Sequence, residues 1–458
     1  MSRIILIAID TLRADHLGCY GYVRDTSPRI DALAADGIVF DNFITQTGHT
    51  LPTFTSIMTG RYPFGHGIVS TLHSHPDQPD QVVSDQVPVL SQLVREHGWL
   101  TAAFDNLPEF PCGPKWLTRG YDWISGVVNY PGRSLCNTLA EQINERLLPW
   151  LRQHLAEQAF VFAHYWDPHQ PYNQPEPFRS MHVDGPAPNP IEAPDGCGFI
   201  PGWGWLSRLD DERRPKIDLY DGEISYVDAA VGRLVDELKG MAAYDNSWVI
   251  LTSDHGEDME EHNAPFEHRE TYQCNVGVPL IVKPPAGMMP TGIRSSALAG
   301  HIDILPTVLD IAGIESPRGI DGMSLLPILN GQAAEGHPHL YTHGGAVKQS
   351  GKWQSGEIAV RTEEYKYIAR GAPLTEVGHA HLDVSVLSAP PWRGDRTRPP
   401  SDWIHYFNRL PKRELYHLPS DPHELNNIVE GETAIAGDLH SLLAEYTARR
   451  PDLFAGTL

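Results

Sequence analysis

The sequence predicts an α/β fold: a large mixed, mostly parallel sheet sandwiched by helices, followed by a smaller C-terminal α+β domain. Three observations carry this expectation. Short apolar runs alternate with segments of helical spacing through the first three quarters of the 458 residues, the pattern of strands joined by helical crossovers. Runs such as Ile4–Ile9 are apolar throughout, as in strands covered on both faces. After about Gly331 the pattern changes to short β segments and one final helix.

In chain order, Ile4–Ile9 is a buried strand closing on Asp10. Pro88–His97 has helical spacing and stops at Gly98, a residue that ends helices without steric cost. Trp99–Phe104 resumes as a strand, and the amphipathic helix Asn137–Leu155 leads into strand Phe160–Tyr165. A long helix over Tyr220–Lys239 precedes the β-rich Trp248–Thr252, and Pro279–Val282 with a helix around Ile304–Ala312 continues the theme. The tail carries β patterns at Ile358–Arg361 and Tyr365–Ala369, an irregular stretch from Ala389 to Trp403, and a helix near Ala436–Arg449. We expect domains at 1–335 and 336–458. The Pro-, Gly- and Trp-rich Tyr172–Arg214 is long enough to be a functional insertion. It is expected to shape a substrate pocket together with Trp392–Trp403.

Composition narrows the function. Charged residues are 20% and hydrophobic residues 41%, the profile of a soluble globular enzyme. A net charge of −23 argues against nucleic acid and anionic membrane surfaces as partners. No run approaches the roughly 20 apolar residues of a membrane span. The first apolar run is used up in a strand rather than in a signal peptide. Five scattered cysteines with no CxxC pair read as reduced thiols in a cytoplasmic protein.

Functional residues in such sheets gather at the carboxyl edge of the strands. Asp10, Asp167 and Asp254 each follow a strand-like run, so that edge is the expected site. Asp254-His255-Gly256 can place a carboxylate and an imidazole on one divalent metal, although an isolated Asp-His pair is often structural. In Gly48-His49-Thr50-Leu51-Pro52, Pro52 fits the first turn of a helix that Gly60 ends. Thr50 then lies where the helix dipole favours anions, as a nucleophile or simply as an N-cap. Prolines flank His169 in Asp167-Pro168-His169-Gln170-Pro171 and suit a rigidly aimed proton donor, or a braced surface turn. His262 and His268 follow in an acidic loop.

Taken together and in order, these segments resemble the sulfatase family of the alkaline phosphatase superfamily over almost the whole chain. The matching stretches include DTLRADHLGCYG, TLPTFTSIMTGRYP, DPHQPY, LTSDHGE, HIDILPTVLDIAGI and RELYHLPSDPHELNNI. The resemblance implies an alkaline phosphatase/sulfatase-like catalytic domain. It implies a metal held by Asp10, Asp254 and His255 and completed by Thr50, with His169 and His268 contacting the leaving group and substrate oxygens. It puts Asn106 and His262 among the substrate-binding positions.

Three departures bear on the reaction. Sulfatases carry Cys-x-Pro-x-Arg, whose cysteine becomes formylglycine; here the positions read Thr50, Pro52 and Phe54. Asn106 stands where a lysine is usual, and Thr11 where a second aspartate often follows Asp10. The thinner site resembles that of phosphonate monoester hydrolases, and members of the superfamily use threonine with manganese or zinc. A formylglycine hydrate expels sulfate by collapsing to an aldehyde, whereas a threonine ester must be attacked at its central atom, which phosphorus accepts with metal help. The expected activity is therefore metal-dependent hydrolysis of a small anionic ester, a phosphate or phosphonate mono- or diester. One divalent ion is expected, Mn or Zn ahead of Ca or Mg. The alternatives are a sulfatase working without formylglycine, a non-catalytic binding protein of the same fold, and a transferase passing a phosphoryl-alcohol group to an acceptor. A homo-oligomer is possible on the family pattern.

Overall fold

The structure is a computed structural model that describes residues 2–69, 82–107, 115–126, 138–183, 185–186, 213–259, 261–262, 268–349, 352–371 and 410–449. Its fourteen described strands are β1 (Arg3–Ile9), β2 (Ile38–Phe40), β3 (Phe43–Ile44), β4 (Leu100–Phe104), β5 (Trp123–Ser125), β6 (Ala159–Tyr165), β7 (Ser247–Ser253), β8 (Leu280–Lys283), β9 (Ile293–Ser295), β10 (Ala299–Gly300), β11 (Leu340–Gln349), β12 (Lys352–Arg361), β13 (Tyr365–Arg370) and β14 (Arg413–His417). Among the described residues the central sheet has eight strands in the order β5-β4-β6-β1-β7-β8-β2-β9.

The expectation of a mostly parallel, doubly covered sheet holds. Strands β1, β6 and β7 are buried along their whole lengths, and β1 pairs in parallel with both neighbours. Alternate residues of β1 feed opposite faces. Ile5, Ile7 and Ile9 pack with Leu147 and Val227 from helices Ala140–Gln153 and Arg213–Gly240. Ile4, Leu6 and Ala8 pack with Phe54, Val94 and Leu305 on the other face. Each isoleucine, leucine or valine among them contributes about 1.5–3 kcal/mol by leaving water.

The run at Pro279–Val282 forms β8, which pairs antiparallel with both β7 and β2. Its apolar composition signals burial and carries no information about direction. The C-terminal sheet is antiparallel in the order β11-β12-β13-β14. Helix Thr433–Ala448 covers it through Leu439, Leu443 and Tyr446 against Ile358, Val360 and Tyr367. Most of the expected insertion (residues 187–212), the stretch Ala389–Trp403 and the expected helix start at Asn137 lie outside the described residues. No helix among the described residues is long and apolar enough to cross a membrane.

Candidate active site

Parallel register builds the site. Ile9 of β1 stands level with Tyr165 of β6 and Ser253 of β7, so Asp10 and Asp254 leave adjacent strands side by side at the carboxyl edge. Thr11 then takes a left-handed conformation, φ 55°, uncommon for a β-branched residue. The turn lets its N–H donate to Asp254 Oδ1 at 3.0 Å, and the His255 N–H donates to the same oxygen at 2.8 Å. The Leu12 N–H donates to Ser253 Oγ, and Arg13 donates to the Glu257 carbonyl and the Glu261 carboxylate. The two strand exits are thus locked together.

Helix Thr50–Thr59 enters from the side with Leu51, Phe54, Ile57 and Met58 buried, and Gly60 ends it at φ 64°. His49, not Thr50, is its N-cap residue, and Thr50 opens the first turn. Thr50 Oγ1 lies 3.2 Å from His255 Nε2, which is itself 3.2 Å from Asp254 Oδ2. His255 Nδ1 donates to the Gly256 carbonyl at 2.9 Å. That bond fixes the ring and turns the Nε2 lone pair toward Thr50 and Asp254.

Asp10, Asp254 and His255 each present a ligand atom within 4.8 Å of the others. Both oxygens of Asp10 and Oδ2 of Asp254 are fully buried and make no hydrogen bond among the described residues, with His164 Nε2 3.5 Å from Asp10 Oδ2. Buried carboxylate oxygens demand a proton or a cation. Burial, then the neighbouring Asp10, pushes the Asp254 carboxyl up to about 7. Burial, then His268, holds His255 well below the usual imidazole range, as a neutral imidazole. Orphaned oxygens beside a neutral imidazole and a hydroxyl fit a divalent cation, and the oxygen-rich set leaves its identity open.

Around this group stand four further histidines. The His268 ring stacks on His255 with centroids 4.2 Å apart and lies 6.0 Å from His169 and 6.4 Å from His49. Two buried residues were not singled out by the sequence reading. His49 has its pKa lowered well below the usual value, first by burial and then by Arg269 and His268. His164, near the end of β6, places Nε2 3.5 Å from Asp10 Oδ2 and Nδ1 2.8 Å from Asp105 Oδ1. Burial opposes its charge, but Asp105 and Asp10 prevail and raise it to about 10. Phe54 packs edge-on against this ring at 4.6 Å.

The remaining sequence-singled residues lie outside this cluster. Asn106 donates its amide to Thr138 Oγ1. His262 stacks face to face on Tyr272 at 3.7 Å. Asp167 accepts from the Ala140 N–H and so caps helix Ala140–Gln153. Burial raises its carboxyl to about 6.

A wide sheet whose carboxyl edge carries two carboxylates, an imidazole and a hydroxyl at a helix start defines an ester hydrolase of the alkaline phosphatase superfamily. The chain belongs to the Sulfatase family, whose model matches residues 2–314. A second model, described as N-sulphoglucosamine sulphohydrolase, C-terminal, matches residues 260–373. The multifunctional alkaline phosphatase superfamily protein PehA of Trinickia caryophylli is 25% identical over 412 residues, covering 74% of this chain and 78% of that protein. An ulvan-active sulfatase of Formosa agariphila is 23% identical over 390 residues, covering 80% and 72%. The crystal structure of the phosphonate monoester hydrolase of Agrobacterium radiobacter superposes with a TM-score of 0.71 at 19% identity, over 98% of this chain and 95% of that one.

Proposed function

We propose that the protein hydrolyses a phosphate or phosphonate ester, monoester or diester, with Thr50 as the nucleophile. One observation carries the reading. Thr50 Oγ1 opens a buried helix 3.2 Å from His255 Nε2, in a site whose buried Asp10 oxygens and Asp254 Oδ2 make no hydrogen bond among the described residues. A divalent ion held by Asp10, Asp254, His255 and Thr50 would supply positive charge to the developing oxyanion and lower the pKa of the hydroxyl.

The chain's own residues supply the rest. The helix dipole at Thr50 favours negative charge. Thr50 Oγ1 attacks phosphorus in line and the P–O bond to the leaving group breaks. His169 or His268 delivers a proton to that oxygen. Water then attacks the phosphorus of the phospho-threonine, releasing Thr50. Asn106 is assigned to binding the substrate, whereas His262, stacked on Tyr272, is not. Thr50 has no thiol to convert to formylglycine, and that favours phosphorus over sulfur.

The test is metal-stripped protein, reloaded with Mn, Zn, Ca or Mg, on matched aryl phosphate, phosphodiester, phosphonate and sulfate esters. The expected result is a preference for phosphorus esters that disappears in Thr50→Ala. A preference for the sulfate ester would overturn the assignment.

A further inference from the structure

We propose that Asp258, His262 and Cys274 form a second cation site, for zinc or a similarly thiophilic divalent ion, separate from the Asp10–Asp254–His255 group. A carboxylate oxygen, an imidazole nitrogen and a thiol sulfur from these residues all lie within 4.8 Å of one another. Cys274 Sγ and Asp258 Oδ2 are 3.7 Å apart. On tetrahedral zinc, bond lengths of about 2.3 Å to sulfur and 2.0 Å to oxygen place two such ligands about 3.5 Å apart. That pair needs to close by only a few tenths of an ångström.

The fold holds the ligands in place. Asp258 and His262 come from the loop after β7, and Cys274 from the short helix Gln273–Val276. Gly256 brings the two segments together. Its N–H donates to the Asn275 carbonyl at 2.8 Å, and a Cβ there would stand 1.9 Å from the Cys274 carbonyl oxygen. Tyr272 fixes the His262 ring by stacking at 3.7 Å and 5°, and is itself held by Glu414 and Arg370. Such surrounding bonds orient metal ligands.

Charge and access agree with a cation. Burial, then the like charges of Glu261 and Glu270, push the Asp258 carboxyl well above its usual range. The opposing guanidinium of Arg13 is engaged by Asp15 and Glu261. A cavity of about 320 Å³ reaches the group, lined by Arg13, Tyr20, Glu261, His262, Cys274 and His423 among others. A thiolate selects zinc over manganese, magnesium or calcium. Bound there, the ion would pin the loop that follows His255 to the segment beside it.

Cobalt(II) distinguishes the two sites, because only this one contains sulfur. Metal-stripped, reduced protein is titrated with cobalt while the near-ultraviolet thiolate-to-cobalt charge-transfer band is followed. The expected band saturates at one cobalt per chain, is displaced by zinc, survives in Asp254→Asn and is absent from Cys274→Ser. His262→Ala keeps every cysteine and should require more cobalt to reach the same band. No such band in the wild-type protein at saturating cobalt, or an undiminished band in Cys274→Ser, would overturn the proposal.

Discussion

Replacing Asp254 with asparagine should stabilise the metal-free protein at alkaline pH and at the same time abolish its stabilisation by added divalent cation. The Asp254 carboxyl is raised to about 7, first by burial and then by Asp10, against about 3.9 in an unfolded chain. A raised folded value means that the folded chain holds the proton more tightly. The stability from that proton is fully present below about pH 4 and lost as pH rises through about 7. Three units at about 1.36 kcal/mol each set a ceiling of about 4 kcal/mol. For 458 residues, unfolding entropy near 2.1 cal/mol/K per residue converts this to about 4 °C in melting temperature. Asparagine keeps an acceptor oxygen for the N–H groups of Thr11 and His255 and removes the charge. Calorimetry on chelator-treated protein should show the variant melting up to about 4 °C above wild type near pH 8, with the gap closing toward pH 4. With manganese or zinc at about a thousand times its dissociation constant, wild type should gain about 4 kcal/mol and the variant far less. A variant less stable than metal-free wild type at high pH, or one equally stabilised by cation, would refute the reasoning.

Three other perturbations follow from the same geometry. A Cβ at Gly48 would stand 1.8 Å from the His268 carbonyl oxygen and must reach at least 3.0 Å. Gly48→Ala should therefore part the Thr50 and His268 segments by about 1 Å and lower kcat by about a hundredfold, measured on the best aryl ester. His169→Ala should slow esters of poor leaving groups by about 10²–10⁴ and those of nitrophenol far less; equal losses across a leaving-group series would exclude proton donation. Cutting Arg24, buried between Asp218 and Asp221 at 2.6 and 2.7 Å, to alanine removes the guanidinium from two buried carboxylates, leaving His16 and Tyr22 on Asp221. That change should cost about 3–5 kcal/mol in denaturant unfolding while turnover at low temperature persists.

How much of this was readable in the sequence depends on the range of the interaction. β1, β6 and β7 were plain because a strand buried on both faces is apolar at every position, and Asp10 and Asp254 were found as the polar residues ending two of those runs. That they are neighbours depends on pairing across some 240 residues, which no local pattern encodes. His164 gave no signal because a single histidine inside AFVFAHY reads as one polar residue in a strand. Its importance comes from Asp105 on β4 and Asp10 on β1. The strands β2, β3, β9 and β10 are two or three residues long, too short for any periodicity. His262 and His268 share one loop in the sequence, yet one stacks on Tyr272 and the other on His255.

The central claim, that Thr50 carries the covalent step, is tested most directly by quenching the metal-loaded enzyme during turnover of an aryl phenylphosphonate and reading the Thr50 peptide by mass spectrometry. The account predicts a phenylphosphonyl adduct on Thr50 that forms in a burst and is absent from Thr50→Ala. Sustained turnover with no adduct on that peptide, or turnover retained by the alanine variant, would contradict it.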